Sequence, residues 1–111
     1  MEIDENLERF LTYVKIDTQS DDISNSTPSA MKELDLARQL MKELDELGIP
    51  NELDEYGRVY AHLDGEKNLP TIGLNSHMDT ALECSGKNVK PQIHENYDGK
   101  DVTLENGFVI R

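Results

Sequence analysis

Two stretches of the chain repeat apolar residues at the spacing of an α-helix. In the first stretch, four residues fall on one face of a helix over residues 4–14: Leu7, Phe10, Leu11 and Val14. Acidic side chains at Glu2, Asp4 and Glu5 suit the positive end of the helix dipole. The pattern therefore predicts a first helix over residues 4–14, followed by a polar loop over residues 17–29.

The second stretch predicts a longer helix that begins at Pro28 and ends before Gly48, because these residue types favour those two positions. Thr27 suits the N-cap, where its hydroxyl accepts a hydrogen bond from a free backbone N–H. Six residues form one apolar stripe: Leu34, Ala37, Leu40, Met41, Leu44 and Leu47. A partner-binding helix also carries such a stripe, but packing against the core is the preferred interpretation because amphipathic helices normally bury that face.

The second half of the chain shows the patterns of strands. Apolar and polar residues alternate over residues 58–63, and residues 71–76 form a short apolar segment that predicts a buried strand. Residues 101–105 alternate as well, and the Asn106–Gly107 pair predicts a type I′ hairpin turn into a strand over residues 108–111. Two helices followed by these strands predict an α/β fold in which helices cover a sheet.

Composition excludes several classes of partner. The chain has 23 acidic and 11 basic residues, with a net charge of −12, which disfavours nucleic acids and anionic membranes because both bind basic surfaces. No apolar run reaches the roughly 18–20 residues of a membrane span, and the first residues do not resemble a signal peptide. Cys84 is the single cysteine, so an internal disulfide is excluded and a reducing, cytoplasmic location is expected.

The residues that could carry chemistry are His77 and Asp79, directly after the apolar segment 71–76. In extended backbone, residues i and i+2 point to the same side. The imidazole could bind zinc through one nitrogen while the carboxylate accepts the proton of the other. By itself this spacing leaves two interpretations open: an oriented metal ligand, or an ordinary hydrogen-bonded histidine.

The other candidates are weaker. His62 lies in the alternating segment, where a surface or edge position is expected, and His94 lies among loop residues without the spacing of a helical zinc motif. Cys84 could be an exposed thiol near the site, but a buried or inert cysteine is commoner. The segment Ser85–Asn88 reads SGKN but lacks the upstream glycine and the following Ser or Thr of a phosphate-binding loop.

Three motifs together carry a family resemblance: NSHMDT at residues 75–80, DTQS at residues 17–20 and CSGKNVKPQ at residues 84–92. With the opening FLTYVKIDTQS, they resemble the tripeptide aminopeptidases of the M20 zinc peptidase family. HMDT alone would indicate only the wider family, which includes dipeptidases, carboxypeptidases and deacylases. The resemblance runs from the first helix to the final hairpin. It implies an α/β catalytic domain with helices packed on a mixed sheet, of which residues 1–111 form the N-terminal segment.

The resemblance also implies roles for two residues. His77 matches the first zinc ligand of the family, and Asp79 matches the catalytic aspartate that orients this histidine. The family holds two zinc ions, uses a glutamate as general base on metal-bound water, and cleaves the N-terminal residue from short peptides, here tripeptides. It dimerises through an inserted lid domain, so a homodimer is expected of the full-length protein.

The remaining family ligands have no matching positions in this chain. A catalytic zinc needs about three protein ligands and an open position. We therefore expect residues 1–111 to be inactive alone, with the rest of the catalytic domain and the inserted domain absent. Two alternatives stay open: a non-catalytic interaction module derived from a peptidase, and a fragment of another M20 member such as a dipeptidase.

Overall fold

The computed structural model of the protein, which describes residues 4–111, contains two helices and two β-hairpins. The elements in chain order are α1 (Glu5–Tyr13), α2 (Glu33–Glu46), β1 (Asn51–Leu53), β2 (Val59–Ala61), β3 (Val102–Thr103) and β4 (Val109–Ile110). Glu2, which was expected to favour the start of the first helix, lies outside the described residues. At this coarse level the predicted α/β class is confirmed. None of the helices in residues 4–111 is long and apolar enough to cross a membrane.

Helix α1 forms where the sequence predicts it. The Asp4 carboxylate caps its start by accepting a hydrogen bond from the backbone N–H of Leu7 at 2.9 Å. Near its end, Tyr13 donates a 2.5 Å hydrogen bond to Oε2 of Glu43 in α2, and Nε of Arg9 lies 2.9 Å from the same oxygen. These two contacts attach α1 to α2.

The contact between Tyr13 and Glu43 predicts an unusual phenol titration. Burial, together with the hydrogen bond and the negative charge of Glu43, raises the pKa of Tyr13 from 10.0 to about 12. Because the neutral phenol is the donor, the stabilisation is intact below pH 10 and is lost as the pH rises through about 12. A tyrosinate absorbance titration should show a component near pH 12 that Tyr13→Phe removes and Glu43→Gln shifts toward 10. If Tyr13→Phe instead removes a component near pH 10, the pKa of Tyr13 is not raised, and its contact with Glu43 does not form.

Helix α2 begins at Glu33, so the predicted start at Pro28 with Thr27 as N-cap is wrong. The Glu33 carboxylate itself organises the preceding turn: its Oε1 accepts from the backbone N–H of Ala30 at 3.0 Å and from the Ser29 hydroxyl at 2.7 Å. A capping box has its acidic residue at the third helical position, whereas Glu33 is the first residue of α2 and Lys32 is its N-cap. The bonds from Ser29 and Ala30 to Glu33 therefore fix the turn that precedes the helix.

The end of α2 agrees with the prediction. Gly48 has a φ of +69°, its N–H bonds to the carbonyl of Asp45 at 2.9 Å, and the N–H of Ile49 bonds to the carbonyl of Leu44 at 2.9 Å. This pair of bonds is the Schellman motif, which favours glycine because its left-handed residue carries no Cβ.

Helix α2 packs against the hairpin of β1 and β2. The buried apolar residues of the described chain are Leu36 and Ala37. Ala37 belongs to the predicted stripe, whereas Leu36 does not, and Leu47 of that stripe is 62% exposed because it already lies at the C-cap. Of the six stripe residues, Ala37 is buried, Leu47 is exposed and the other four are partly buried, so this helix face packs on the hairpin only in part.

Strands β1 and β2 are antiparallel, with Asn51 opposite Ala61 and Leu53 opposite Val59. The sequence pattern predicted β2 within residues 58–63 but missed β1, whose three residues are too few to show an alternation. Leu63, predicted on the apolar face, lies beyond β2 and is 72% exposed.

Both hairpins use one type of loop. The N–H of Gly57 bonds to the carbonyl of Asp54 at 3.1 Å, and the N–H of Gly107 bonds to the carbonyl of Leu104 at 2.9 Å. The two glycines have φ of +81° and +83°, whereas Asn106 does not have a positive φ. These are type I turns followed by a glycine bulge, so the predicted type I′ turn is wrong. A type I turn with a bulge requires a left-handed conformation at the glycine alone.

The two loop glycines differ in their surroundings, which gives a matched pair of substitutions. A Cβ at Gly57 would lie 3.1 Å from Leu34 and 3.2 Å from Pro28, whereas a Cβ at Gly107 would have no neighbour within 4 Å. Alanine at either site should lower the free energy of unfolding by about 1 kcal/mol, because the residue must adopt a positive φ. Gly57→Ala should lower it further, because Leu34 and Pro28 must also move.

Amide hydrogen exchange measures this difference locally. The reporters are the N–H of Asp54 and that of Leu104, which bond across their hairpins to Arg58 and Phe108. We expect the loss of protection at Asp54 in Gly57→Ala to exceed that at Leu104 in Gly107→Ala. Equal losses would mean that α2 does not pack on the first loop.

The predicted buried strand over residues 71–76 does not form. Ile72 is 82% exposed and Leu74 is 94% exposed. Both hairpins are antiparallel, and the described residues add only one isolated parallel bridge, between Gln19 and Thr80. An apolar segment becomes a buried strand only when neighbouring strands pair with it, and residues 4–111 provide none. For the same reason the mixed sheet is not formed within them.

The chain exposes much more surface than a self-contained domain of its size. Its accessible surface is 9466 Å², whereas a compact monomer of 12.6 kDa exposes about 6,200 Å². Its radius of gyration is 17.6 Å, against about 13 Å expected for a compact domain of this length. Among residues 4–111, many large apolar side chains are exposed, such as Ile72, Leu74 and Phe108.

Candidate functional site

His77 and Asp79 contact each other, as their spacing predicted. Nδ1 of His77 lies 3.0 Å from Oδ1 of Asp79 and 2.8 Å from the Asp79 carbonyl oxygen. Both oxygens are acceptors, so Nδ1 is the nitrogen that carries the proton of the neutral ring. Nε2 has no hydrogen-bond partner among residues 4–111, and the side chain is 83% exposed. The ring therefore offers a free lone pair, which is what a metal ligand requires.

The second carboxylate oxygen of Asp79 has its own donor, Ser20. The Ser20 hydroxyl donates to Oδ2 at 2.6 Å and also lies 3.1 Å from the carbonyl oxygen of Thr80. The hydrogen bond from Ser20, followed by that from His77, lowers the pKa of Asp79. Asp79 is thus held as a carboxylate between a hydroxyl and an imidazole.

Backbone hydrogen bonds hold Ser20 beside Asp79. The Ser20 N–H donates to the carbonyl of Thr80 at 3.0 Å, and the Thr80 N–H donates to the carbonyl of Thr18 at 3.0 Å. The Gln19 side chain adds a 2.9 Å bond to the carbonyl of Leu82. Thr18 is 3% exposed. Two segments that are 60 residues apart in sequence therefore lie side by side.

The third motif packs on the same place. Oδ1 of Asp17 accepts from the N–H of Gln19 at 3.1 Å and from Nζ of Lys32 at 2.9 Å, and the bond from Lys32 is the main reason that the pKa of Asp17 is lowered. A Cβ at Gly86 would lie only 2.6 Å from that oxygen. The segments 17–20 and 75–80 thus meet at Asp79, and Gly86 of the segment 84–92 lies against Asp17 on the first of them.

A cleft of about 710 Å³ lies along one side of this arrangement. Its walls come from residues 26–29, the loop and strand over residues 56–60, residues 74–79, and Glu33 and Leu40 of α2. Arg58 lies 5.0 Å from the ring centre of Tyr56 and 5.7 Å from that of Tyr60, and it is paired with Asp54. The volume falls in the range of about 300–1,000 Å³ typical of small-ligand sites. Apart from His77 and Asp79, the residues of this cleft were not identified as site residues from the sequence.

The other sequence candidates lie elsewhere. His62 is exposed, as predicted, and its Nε2 lies 3.1 Å from Oδ1 of Asp64, which is itself 98% exposed. His94 lines surface depressions other than the cleft beside His77. Cys84 is an exposed free thiol, so of the two possibilities weighed for it the commoner one, a buried cysteine, is not what forms.

The arrangement fits one metal ligand with its orienting carboxylate. Within the described part of the chain, no group of three or more His, Cys, Asp or Glu side chains could hold a metal ion. Since a catalytic zinc takes about three protein ligands, further ligands would have to come from outside these residues.

Comparison with known proteins gives consistent matches. The chain is 51% identical over 106 residues to "Peptidase T" of Clostridium perfringens (strain 13 / Type A), which covers 93% of this chain and 26% of the relative. It is 49% identical over 110 residues to "Peptidase T" of Bacillus pumilus, with 96% and 27% covered, and 46% identical over 106 residues to "Peptidase T" of Macrococcus caseolyticus, with 94% and 26% covered. No family model matches the chain. The chain spans about a quarter of the length of these curated relatives, and the resemblance predicted from the motifs is confirmed.

Proposed function

We propose that this chain is the N-terminal part of a zinc-dependent aminopeptidase that releases the N-terminal residue from tripeptides. Almost the whole of this chain is similar to peptidase T. In this proposal His77 is a zinc ligand and Asp79 is the catalytic residue that orients it. The observation that carries the proposal is the contact between Nδ1 of His77 and Asp79, which leaves Nε2 free.

The chemistry divides between the metal and the chain. Bound zinc would supply an activated water and polarise the peptide carbonyl. The chain's own part is to hold the proton on Nδ1 of His77, keep Asp79 ionised and present Nε2 toward the metal. The cleft beside these residues has the size of a small-ligand site and would receive the peptide.

The open form of the chain supports a place within a larger catalytic domain. Its exposed surface exceeds that of a compact domain by about half, and the apolar segment 71–76 has no pairing strand among the described residues. We propose that this segment becomes a strand of a mixed sheet in the complete domain. The further proposals are two zinc ions, cytoplasmic location and a homodimer formed by an inserted domain; the net charge of −12 supports a protein that does not bind nucleic acid.

The alternative is a non-catalytic module derived from a peptidase. The observation that favours it is the lack of three metal-ligating side chains in one group within residues 4–111. Such a module would fold and bind its partner without metal. A fragment of a dipeptidase is less favoured, since the relatives reported above are all named peptidase T.

A chimera tests these alternatives. In it, this chain replaces the matching quarter of the Clostridium perfringens peptidase T, to which it is 51% identical. We expect the chimera to release the N-terminal residue from tripeptides and to leave N-acetylated tripeptides intact, because the free amino group is part of what is recognised. Dipeptides serve as the competing substrate.

The outcomes distinguish the tripeptide aminopeptidase, the non-catalytic module and the dipeptidase. A folded chimera that binds zinc but cleaves no peptide would contradict the aminopeptidase proposal and favour the non-catalytic module. Preference for dipeptides would favour the other M20 activity. The unaltered Clostridium perfringens enzyme, assayed in parallel, shows what activity the rest of the chimera supports.

A further inference from the structure

The carboxylate of Asp79 is bonded at both of its oxygens by side chains from different parts of the chain. Oδ2 accepts from the Ser20 hydroxyl at 2.6 Å, and Oδ1 lies 3.0 Å from Nδ1 of His77. The side-chain torsion that turns an aspartate carboxylate has a broad energy minimum. A carboxylate held at one oxygen loses that freedom, so the donor at Oδ2 fixes the direction in which Oδ1 points.

Ser20 is itself fixed, which makes it suitable as an anchor. Its N–H donates to the carbonyl of Thr80, and the Thr80 N–H donates to the carbonyl of Thr18, each at 3.0 Å. Thr80 directly follows Asp79 in sequence, so the hydroxyl of Ser20 and the carboxylate of Asp79 are placed by the same pair of backbone bonds. The hydroxyl needs no further ordering to reach Oδ2.

A second His-x-Asp pair in the chain shows the arrangement without an anchor. His62 and Asp64 have the same spacing as His77 and Asp79, but the ring reaches Asp64 through Nε2 at 3.1 Å. Asp64 is 98% exposed, and no hydroxyl from the described residues bonds to it. The two His-x-Asp pairs thus have the same spacing and opposite ring orientations. Of these two pairs, His77–Asp79 exposes Nε2, and it is the one whose carboxylate is bonded by a serine.

We propose that Ser20 is a positioning residue of the candidate zinc site. Its hydroxyl holds Asp79 so that Oδ1 accepts the Nδ1 proton of His77, and Nε2 keeps its lone pair for the metal. This inference rests on the proposed function for the identity of the metal, whereas the positioning of the ring is a property of the chain itself.

The test measures the tautomer of His77 in the complete 111-residue chain without metal. Long-range proton–nitrogen NMR on ¹⁵N-labelled histidine, at a pH where the rings are neutral, reports which nitrogen carries the proton. We expect Nδ1–H to dominate for His77. Ser20→Ala should lower the ratio of Nδ1–H to Nε2–H by roughly 2- to 10-fold, the effect of one hydrogen bond. Ser20→Thr, which keeps the hydroxyl, should restore it.

Ser24→Ala is the matched control, because the Ser24 hydroxyl lies in the same loop and bonds to Ser26 instead. It should leave the His77 ratio unchanged. A further measurement needs no variant: the Ser20 hydroxyl proton should exchange slowly enough to be observed. A rapidly exchanging hydroxyl would overturn the proposal even if Ser20→Ala failed to fold.

The outcomes separate this inference from the proposed function. If Ser20→Ala keeps the wild-type ratio while Asp79→Ala lowers it, Ser20 does not position the ring, and the aminopeptidase proposal stands. If Asp79→Ala also keeps the ratio, the backbone carbonyl of residue 79, which lies 2.8 Å from Nδ1, holds the proton without the carboxylate. Ser20 and the Asp79 carboxylate then both lose their proposed positioning role. A loss in Ser20→Ala with recovery in Ser20→Thr supports the role of the hydroxyl.

Discussion

Asp79→Ala in the chimera with the Clostridium perfringens peptidase T is expected to lower tripeptide turnover by about 100-fold. A loss of this size is typical when a metal-ligating histidine loses its carboxylate partner. The reason is that the carboxylate and the carbonyl of Asp79 both accept at Nδ1 of His77 and leave Nε2 free. Without the carboxylate, only the backbone carbonyl holds the ring, so its orientation toward the metal is less well fixed. The fold should survive, because Asp79 is about half exposed and the backbone bonds between Ser20 and Thr80 do not involve its side chain.

The matched control for this substitution is Asp64→Ala. Asp64 also follows a histidine by two residues, but it is 98% exposed and lies beside His62, to which no catalytic role is assigned. Asp64→Ala should leave turnover unchanged, and circular dichroism should show the same helix content in both variants. Asp79→Ala with near-normal activity would remove Asp79 from its proposed role. Asp79→Asn adds a finer comparison, since it keeps the shape of the side chain and loses its charge.

Local signals in the sequence predicted the elements that are stabilised locally. Helix α1 has an aspartate at its N-cap, and helix α2 ends in a Schellman motif at Gly48, so both boundaries depend on neighbours in sequence. The start of α2 was missed because a second signal competes with Thr27 and Pro28. Glu33 accepts a hydrogen bond from the N–H of Ala30, and that bond fixes the turn between the proline and the helix.

The strand predicted over residues 71–76 shows a different limit. Its apolar composition is correct for a buried strand, but burial depends on pairing with other strands, and Leu74 is 94% exposed. A sequence pattern describes what a segment prefers once neighbours are present. It does not say whether the neighbours lie within the same 111 residues.

The candidate site also has one contact that the sequence predicted and one that it did not. The contact between His77 and Asp79 follows from a spacing of two residues and was predicted. Ser20 lies 59 residues from Asp79, so no spacing rule connects them. The pair His62–Asp64 has the same spacing and the opposite ring orientation, so spacing alone does not fix which ring nitrogen faces the carboxylate. Spacing identified the pair, and the long-range fold decides its chemistry.

Zinc titration should distinguish the chain alone from the chimera. We expect the dialysed 111-residue chain to bind zinc weakly, with little change in His77→Ala, because its described residues bring no three metal-ligating side chains together. The chimera should bind zinc stoichiometrically, and His77→Ala should lower both its zinc content and its activity. Each can be measured by metal analysis after dialysis and by tripeptide hydrolysis. Chelation of the unmodified chimera should abolish hydrolysis, and added zinc should restore it.

The control here is His62→Ala, which removes an exposed histidine of equal spacing and should leave zinc content unchanged. Tight stoichiometric binding by the chain alone, dependent on His77, would contradict the prediction. It would mean that the other ligands are recruited from this chain or from a second copy of it, in an arrangement different from the one described. Zinc binding by the chimera that persists in His77→Ala would instead remove His77 from the ligand set. Because a single imidazole cannot satisfy the roughly three ligands of a catalytic zinc, the difference between chain and chimera measures how much of the site the rest of the domain supplies. The loss in His77→Ala within the chimera measures the share of His77.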